Sequence, residues 1–162
     1  MRPRRAASSV LAMLLTLVTA CTPLPAPPAS GRLTRQARSL VTPEGKASVY
    51  VIRHAALPAD QILWTVDLDF RGFGTLAAES YLYGWLTPGD HLLACLQDGR
   101  VHARTPFRVK EGTSYFFVVS AGLLTLKVER IDERAGRELI GRYALSGDNR
   151  FEHEPVPPGS AR

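Results

Sequence analysis

The sequence predicts an all-β domain: a small two-sheet β-sandwich of about seven strands, with a short helix near its C-terminal end. Between residues 46 and 145, runs of β-branched and aromatic residues recur about every ten residues. Turns that contain glycine or proline separate these runs. Such spacing is typical of a sandwich or small barrel rather than of alternating strands and helices.

Side-chain patterns predict the first three strands. Residues 48–53 are mostly β-branched and apolar, and residues 81–86 are rich in aromatic side chains. In residues 62–70 apolar and polar side chains alternate, which is the period of a half-buried strand. The buried face of that strand is predicted to hold Trp64, Val66, Leu68 and Phe70.

Four further strands follow a Thr87–Asp90 turn. Asp98-Gly99, the strongest hairpin signal in the chain, is predicted to join strands 91–97 and 101–109. Residues 114–119 are apolar on both faces, so we expect that strand to lie inside a sheet. Residues 124–129 alternate again and form the seventh predicted strand.

Residues 132–143 leave two interpretations open. Asp132 is a suitable N-cap, and Leu139, Ile140 and Tyr143 fall on one side of a helix. Gly136 favours a hairpin turn, because glycine inside a helix costs about 1 kcal/mol relative to alanine. A short helix or irregular turn packed on the edge of the sandwich is the preferred interpretation.

The N-terminal segment resembles a bacterial lipoprotein signal. A basic start precedes an apolar run over residues 10–20, and Leu17-Val18-Thr19-Ala20 leads directly to Cys21. The run is shorter than the roughly 20 residues that a membrane-spanning helix needs. The resemblance implies a signal peptide over residues 1–20 and a lipid on Cys21. An ordinary secretory signal cut near Cys21 is the alternative.

Three segments are predicted after the signal. Residues 21–45 begin with the lipidated cysteine and a proline-rich linker, whose basic half could meet anionic headgroups or simply be solvated. Residues 46–145 form the β-sandwich domain, and residues 146–162 form a flexible tail. Thr22, rather than aspartate, follows Cys21, which by the same resemblance implies the outer membrane, facing the periplasm. The membrane, reached through the lipid, is therefore an expected partner.

Charge argues against nucleic acid as a partner. The formal net charge is +5, but three arginines precede Cys21. From Cys21 onward there are 17 Lys and Arg against 15 Asp and Glu, a net charge of +2. The basic residues are scattered among acids, whereas nucleic-acid-binding domains carry clustered basic surfaces.

The two cysteines are expected to differ in modification and in burial. If Cys21 carries a lipid, Cys95 has no partner for an intramolecular disulfide, and we expect it to be buried. A two-residue Asp98-Gly99 turn would place Cys95 opposite His102, as the start of a metal site. Two ligands are too few for such a site, so no metal and no cofactor are predicted.

Two other groups of side chains are candidate sites. Asp67 and Asp69 share a strand face, but a solvated environment would leave them without the separated pKa values that acid–base catalysis uses. Tyr81, Tyr83 and Trp85 also share one face. They predict either an exposed aromatic binding strip or part of the core between the sheets.

Several motifs occur in an order that resembles a family of small bacterial envelope lipoproteins, a domain family of unknown function. They are Tyr50-Val51-Ile52-Arg53, the 67–74 stretch, Pro88-Gly89-Asp90-His91 and Gly112-Thr113-Ser114-Tyr115-Phe116. The resemblance covers about 100 residues. It implies a β-sandwich like those of carbohydrate-binding or surface-anchored modules, and it implies no catalytic residues.

The predicted function is therefore non-catalytic. No nucleophile motif, phosphate-binding glycine loop or metalloprotease pattern is present in the sequence. We expect a membrane-anchored envelope lipoprotein with a binding or structural module, whose partner is an envelope protein or a glycan. The alternative is a periplasmic ligand-binding, metal-binding or enzymatic domain that uses Cys95, His102 and the Asp67/Asp69 pair.

Overall fold

Two β-sheets and two helices make up the described part of the chain, which comprises residues 29–54, 62–121 and 126–150 of a computed structural model. The helices are α1 (Gly31–Ser39) and α2 (Glu133–Arg142). The strands are β1 (Ala47–Arg53), β2 (Trp64–Leu68), β3 (Arg71–Leu76), β4 (Ser80–Leu86), β5 (Gly89–Gln97), β6 (Arg100–Val109), β7 (Ser114–Ala121), β8 (Leu126–Ile131) and β9 (Ala144–Leu145). The predicted all-β two-sheet fold is confirmed, with β3 and β9 in addition to the seven expected strands.

The larger sheet has the order β8-β7-β1-β4-β9. Its middle strand β1 pairs with β4 in antiparallel and with β7 in parallel orientation. All seven residues of β1 are buried, because the strand has neighbours on both edges and packed layers on both faces. The predicted interior position of residues 114–119 is confirmed, since β7 lies between β8 and β1.

The smaller sheet has the order β3-β2-β5-β6. The predicted hairpin at Asp98-Gly99 is confirmed: β5 and β6 pair in antiparallel orientation around it, and both turn residues have positive φ. The second predicted strand, however, ends at Leu68 instead of residue 70. Asp69 and Phe70 adopt φ values of 52° and 65° and reverse the chain into β3. Phe70 therefore leaves the buried face and is 80% exposed.

Two apolar clusters lie on opposite faces of the larger sheet. The cluster between the sheets includes Val49, Val51, Val66, Leu82 and Phe117. The second cluster contains the alternate residues of β1, β4 and β7 together with residues of the two helices. Its members include Tyr50, Ile52, Tyr83, Phe116, Leu33, Ala37 and Ile140. The molecule thus has three layers, with the larger sheet in the middle.

Helix α1 corrects the predicted linker over residues 21–45. The Ser30 side chain accepts a hydrogen bond from Leu33 N at 3.3 Å and caps the helix. Leu33 and Ala37, four residues apart, lie on one helix face and are buried against the larger sheet. Proline content predicts extended chain only up to residue 28, and residues 1–28, with the signal segment and Cys21, lie outside the described residues.

Residues 132–143 form a helix rather than a hairpin. Asp132 caps α2 by accepting a hydrogen bond from Ala135 N at 2.9 Å. Gly136 is the residue that argued for a hairpin, and its role is to allow close packing. A Cβ atom at this position would lie 2.3 Å from the Phe116 ring.

The first part of the predicted tail is also packed. Ser146 Oγ donates to Thr75 O at 2.7 Å, and Asn149 Nδ2 donates to Tyr83 O at 2.7 Å. Both Ser146 and Asn149 are buried. The 146–162 tail prediction is therefore wrong for residues 146–150, which close the edge between β3 and β4, and residues 151–162 lie outside the described residues.

Candidate functional site

The predicted aromatic strip lies beneath α1. Tyr81 and Tyr83 are fully buried, and Trp85 is half-buried at the margin of the same cluster. Helix α1 covers the sheet here, and Tyr50 Oη donates to Ala37 O at 2.9 Å. The expectation of an exposed strip is wrong for Tyr81 and Tyr83. The aromatic row forms core, but on the helix side of the larger sheet instead of between the sheets.

The hydroxyl groups of the tyrosines beneath α1 are buried, and two of them lack a hydrogen-bond partner in the described part of the chain. Those of Tyr81 and Tyr83 have no partner with good hydrogen-bond geometry among the described residues. Burial raises the pKa of both phenols, while the nearby Arg38 partly lowers that of Tyr81. These phenols stay neutral and provide apolar contact area instead of acid–base groups.

Cys95 and His102 do not form the predicted pair. Leu96 pairs with Val101 as expected, but the register shifts between Cys95 and Leu96, so Cys95 pairs with Ala103. Cys95 is fully buried between the sheets, and burial raises the pKa of its thiol to about 12. His102 is exposed and packs edge-on against the Trp64 ring at 5.3 Å. The β-bulge therefore separates the thiol from the imidazole.

The two aspartates also have separate surroundings. Asp67 is half-buried on β2, whereas Asp69 lies in the following turn. Asp69 Oδ2 accepts a hydrogen bond from His91 Nδ1 at 2.6 Å, and Asp69 Oδ1 accepts one from Leu92 N at 2.9 Å. The sequence pattern did not predict the contact between His91 and Asp69. It placed Asp69 inside a strand instead of in the turn that follows β2.

Arg53 stabilises the fold through contacts with backbone carbonyl groups. Arg53 is buried at the end of β1 and donates to the carbonyl oxygens of Ile62 and Leu76, the latter at 3.0 Å. Its guanidinium thus holds the start of β2 and the end of β3 against β1. Arg53 is a structural group in the described contacts.

An open groove of about 370 Å³ lies between α2 and strands β7 and β8. Its floor is apolar, with Val118, Ile131 and Leu139. Its polar margin consists of His54, Ser120, Glu129 and Glu138. An apolar floor with a polar margin suits contact with an amphipathic surface or ligand.

The polar margin of this groove is held by local contacts. His54 Nδ1 lies 2.7 Å from Tyr143 Oη, and the two rings meet edge-on. Glu129 pairs with Lys127 at 2.5 Å, and Glu138 pairs with Arg142 at 2.5 Å. Each of these two carboxylates therefore has a cationic side chain beside it.

Among residues 29–54, 62–121 and 126–150, no three metal-ligating side chains come together. Within the same residues, no helix is long and apolar enough to cross a membrane. Cys95 thus lies in the core, and His102 lies on an edge strand. Asp67 lies on a sheet face and Asp69 in a turn, so the four side chains do not form one cluster.

No model of a known protein family matches the chain. No curated protein sequence matches it either. The resemblance to envelope lipoproteins therefore stays a prediction from ordered motifs.

Proposed function

We propose that this protein is an envelope lipoprotein, anchored in the outer membrane by a lipid on Cys21. Its three-layer domain acts as a non-catalytic binding or structural module for an envelope protein or glycan. The observation that carries the proposal is the short apolar run that ends in Leu17-Val18-Thr19-Ala20 immediately before Cys21. A basic start, a short apolar run and small residues before a cysteine are the features of a lipoprotein signal.

The contrast between the two cysteines supports the proposed anchor. Cys95 is fully buried, and its raised thiol pKa keeps it protonated near neutral pH. A domain with a free, buried thiol depends on its apolar layers for stability rather than on a disulfide. Cys21 is thus left for modification instead of cross-linking.

The surroundings of the titratable side chains support a non-catalytic role. A catalytic histidine needs a ring nitrogen that can reach a substrate. His91 faces Asp69 with Nδ1 and the Thr87 carbonyl oxygen with Nε2, so both nitrogens are engaged. The alternative enzyme built on Cys95, His102 and the two aspartates gains no support from their separate positions.

Palmitate labelling of the full chain in a Gram-negative host tests the anchor. We expect Cys21→Ser to abolish the label and Cys95→Ala, the matched control, to retain it. Mass spectrometry should find the mature N-terminus at a lipidated Cys21. An unlabelled wild-type chain, or a label that survives Cys21→Ser, would contradict the anchor.

Site-specific photo-crosslinking tests the binding role of the groove. A photoreactive residue at Ser120, in the groove, is compared with one at Thr65, on the uncovered face of the smaller sheet. We expect the Ser120 position to give a defined adduct with an envelope component and the Thr65 position to give none. Identical adducts from both positions would count against the groove as the contact surface.

A further inference from the structure

Helix α1 carries a stripe of arginines on its outward side. Arg32, Arg35 and Arg38 are exposed, and the helix contains no acidic residue. At about 100° per residue, their three-residue spacing confines them to roughly one third of the helix circumference. Leu33 and Ala37, which are buried against the sheet, lie on the opposite side. The packing of α1 therefore directs the arginines away from the domain.

These arginines are not neutralised by the described side chains. In α2, by contrast, Arg137 pairs with Glu133 and Arg142 pairs with Glu138, each at 2.5 Å. None of the ion pairs formed within the described ranges involves an arginine of α1. Arg38 also approaches the Tyr81 hydroxyl, so Arg32 and Arg35 are the freest charges of the stripe.

Positive charge is concentrated on the helix layer. The two helices together contain six arginines and two glutamates, a net charge of +4. Residues 29–54, 62–121 and 126–150 together contain 16 basic and 12 acidic residues, a net charge of +4, so the described residues outside the helices are neutral overall. The net positive charge of the described residues is therefore carried by the layer that contains α1.

We propose that the Arg32/Arg35/Arg38 stripe binds the phosphate groups of anionic lipid headgroups in the membrane that holds the anchor. The inference rests on the proposed lipid at Cys21. Gly31 is the tenth residue after Cys21, and a chain of that length spans at most about 36 Å. Tethering thus keeps α1 near the bilayer, and contact within the Debye length of about 8 Å makes its arginines effective.

Such binding would set the orientation of the domain. The helix layer would face the headgroups, and the smaller sheet, on the other side of the sandwich, would face away. Arg100 and Arg104 lie on that smaller sheet, are exposed, and take part in none of the ion pairs among the described residues. They serve as internal controls for the α1 arginines.

Arginine footprinting of the anchored full chain tests the proposal. Phenylglyoxal modification is followed by mass spectrometry on phosphatidylcholine vesicles with and without phosphatidylglycerol. We expect modification of Arg32 and Arg35 to slow by about fivefold on the anionic vesicles, with less change at Arg38. Arg100 and Arg104 should react at the same rate on both. Sodium chloride at high concentration should remove the protection.

Equal reaction of the α1 arginines on both vesicles, or equal protection of Arg100 and Arg104, would overturn the proposal. Protection by a soluble acidic peptide but not by the anionic lipid would assign the stripe to a protein partner instead. Failure of the anchor has a different signature, because the wild-type chain would then not float with vesicles of phosphatidylcholine alone. In that case Cys21 is coupled to a maleimide phospholipid, and the modification rates of the same arginines are measured again.

Discussion

His91 joins two turns through Asp69. His91 Nδ1 lies 2.6 Å from Asp69 Oδ2, and His91 Nε2 lies 2.8 Å from Thr87 O. Each ring nitrogen therefore has an oxygen atom within hydrogen-bond distance. The histidine of the Pro-Gly-x-His motif thus ties the β2–β3 turn to the segment that enters β5.

Replacing His91 should destabilise the domain. We expect His91→Ala to lower the free energy of unfolding by about 1–2 kcal/mol, because it removes two hydrogen bonds, one of them to a carboxylate. Urea unfolding measures this loss. Asp90→Ala is the matched control: its contact with Arg108 is 3.7 Å long and highly exposed, so we expect a change below about 0.5 kcal/mol. Equal losses in the two variants would contradict a structural role for His91.

Gly136→Ala should destabilise the domain although alanine favours helix. The added Cβ would lie 2.3 Å from ring atoms of Phe116, which is buried and stacked on Tyr50 with a centroid distance of 4.7 Å. Displacing this buried, stacked ring disrupts its packing, so we expect a loss of about 1–3 kcal/mol in urea unfolding.

Gly141 offers the control within the same helix. A Cβ at Gly141 meets nothing within 4 Å, so Gly141→Ala should raise the stability by up to about 1 kcal/mol. Opposite signs for the two variants are the expected result. A stabilised Gly136→Ala variant would show that α2 can shift away from the sheet.

Local sequence patterns predicted the secondary-structure elements of this fold better than they predicted which residues of those elements contact each other. Alternation in residues 64–68 and the Asp98-Gly99 turn were sufficient for β2 and for the β5–β6 hairpin. The bulge beside Cys95 was not predictable, because nothing in the local sequence marks an extra residue in one strand. One such residue was enough to remove the proposed Cys95–His102 pair.

The helix layer was the main feature missed. The proline-rich residues before Ala29 led to the prediction of an extended linker, although the four-residue spacing of Leu33 and Ala37 is that of a helix face. Without a helix above the sheet, an aromatic row containing Tyr81 and Tyr83 had to lie either between the sheets or in solvent. Its location depends on a long-range contact, which periodicity within a strand does not reveal.

Alkaline pH should destabilise the domain. Burial raises the pKa of Cys95 from 9.0 to about 12 and also raises the pKa values of Tyr50, Tyr81 and Tyr83. The unfolded chain ionises near the ordinary values, while the folded chain keeps these groups neutral. Stability should therefore be constant below about pH 9 and should fall above it, by up to about 1.4 kcal/mol per pH unit for each group.

Urea unfolding at pH 7, 9 and 10.5 measures this loss. Cys95→Ala is the control, because it removes the group that ionises first and should show a shallower decline above pH 9. A stability that stays constant up to pH 10.5 would contradict the raised pKa values.

Phe70→Gly should leave the stability unchanged or raise it by up to about 1 kcal/mol. Phe70 has a φ of 65°, in the left-handed region, and its ring is 80% exposed. Glycine relieves the backbone strain, and removal of an exposed ring sacrifices little apolar contact. Phe70→Ala is the matched control, since it removes the ring but keeps a Cβ at positive φ, and its stability should match the wild type. A loss above about 1 kcal/mol in both variants would show that the ring stabilises the folded domain in solution.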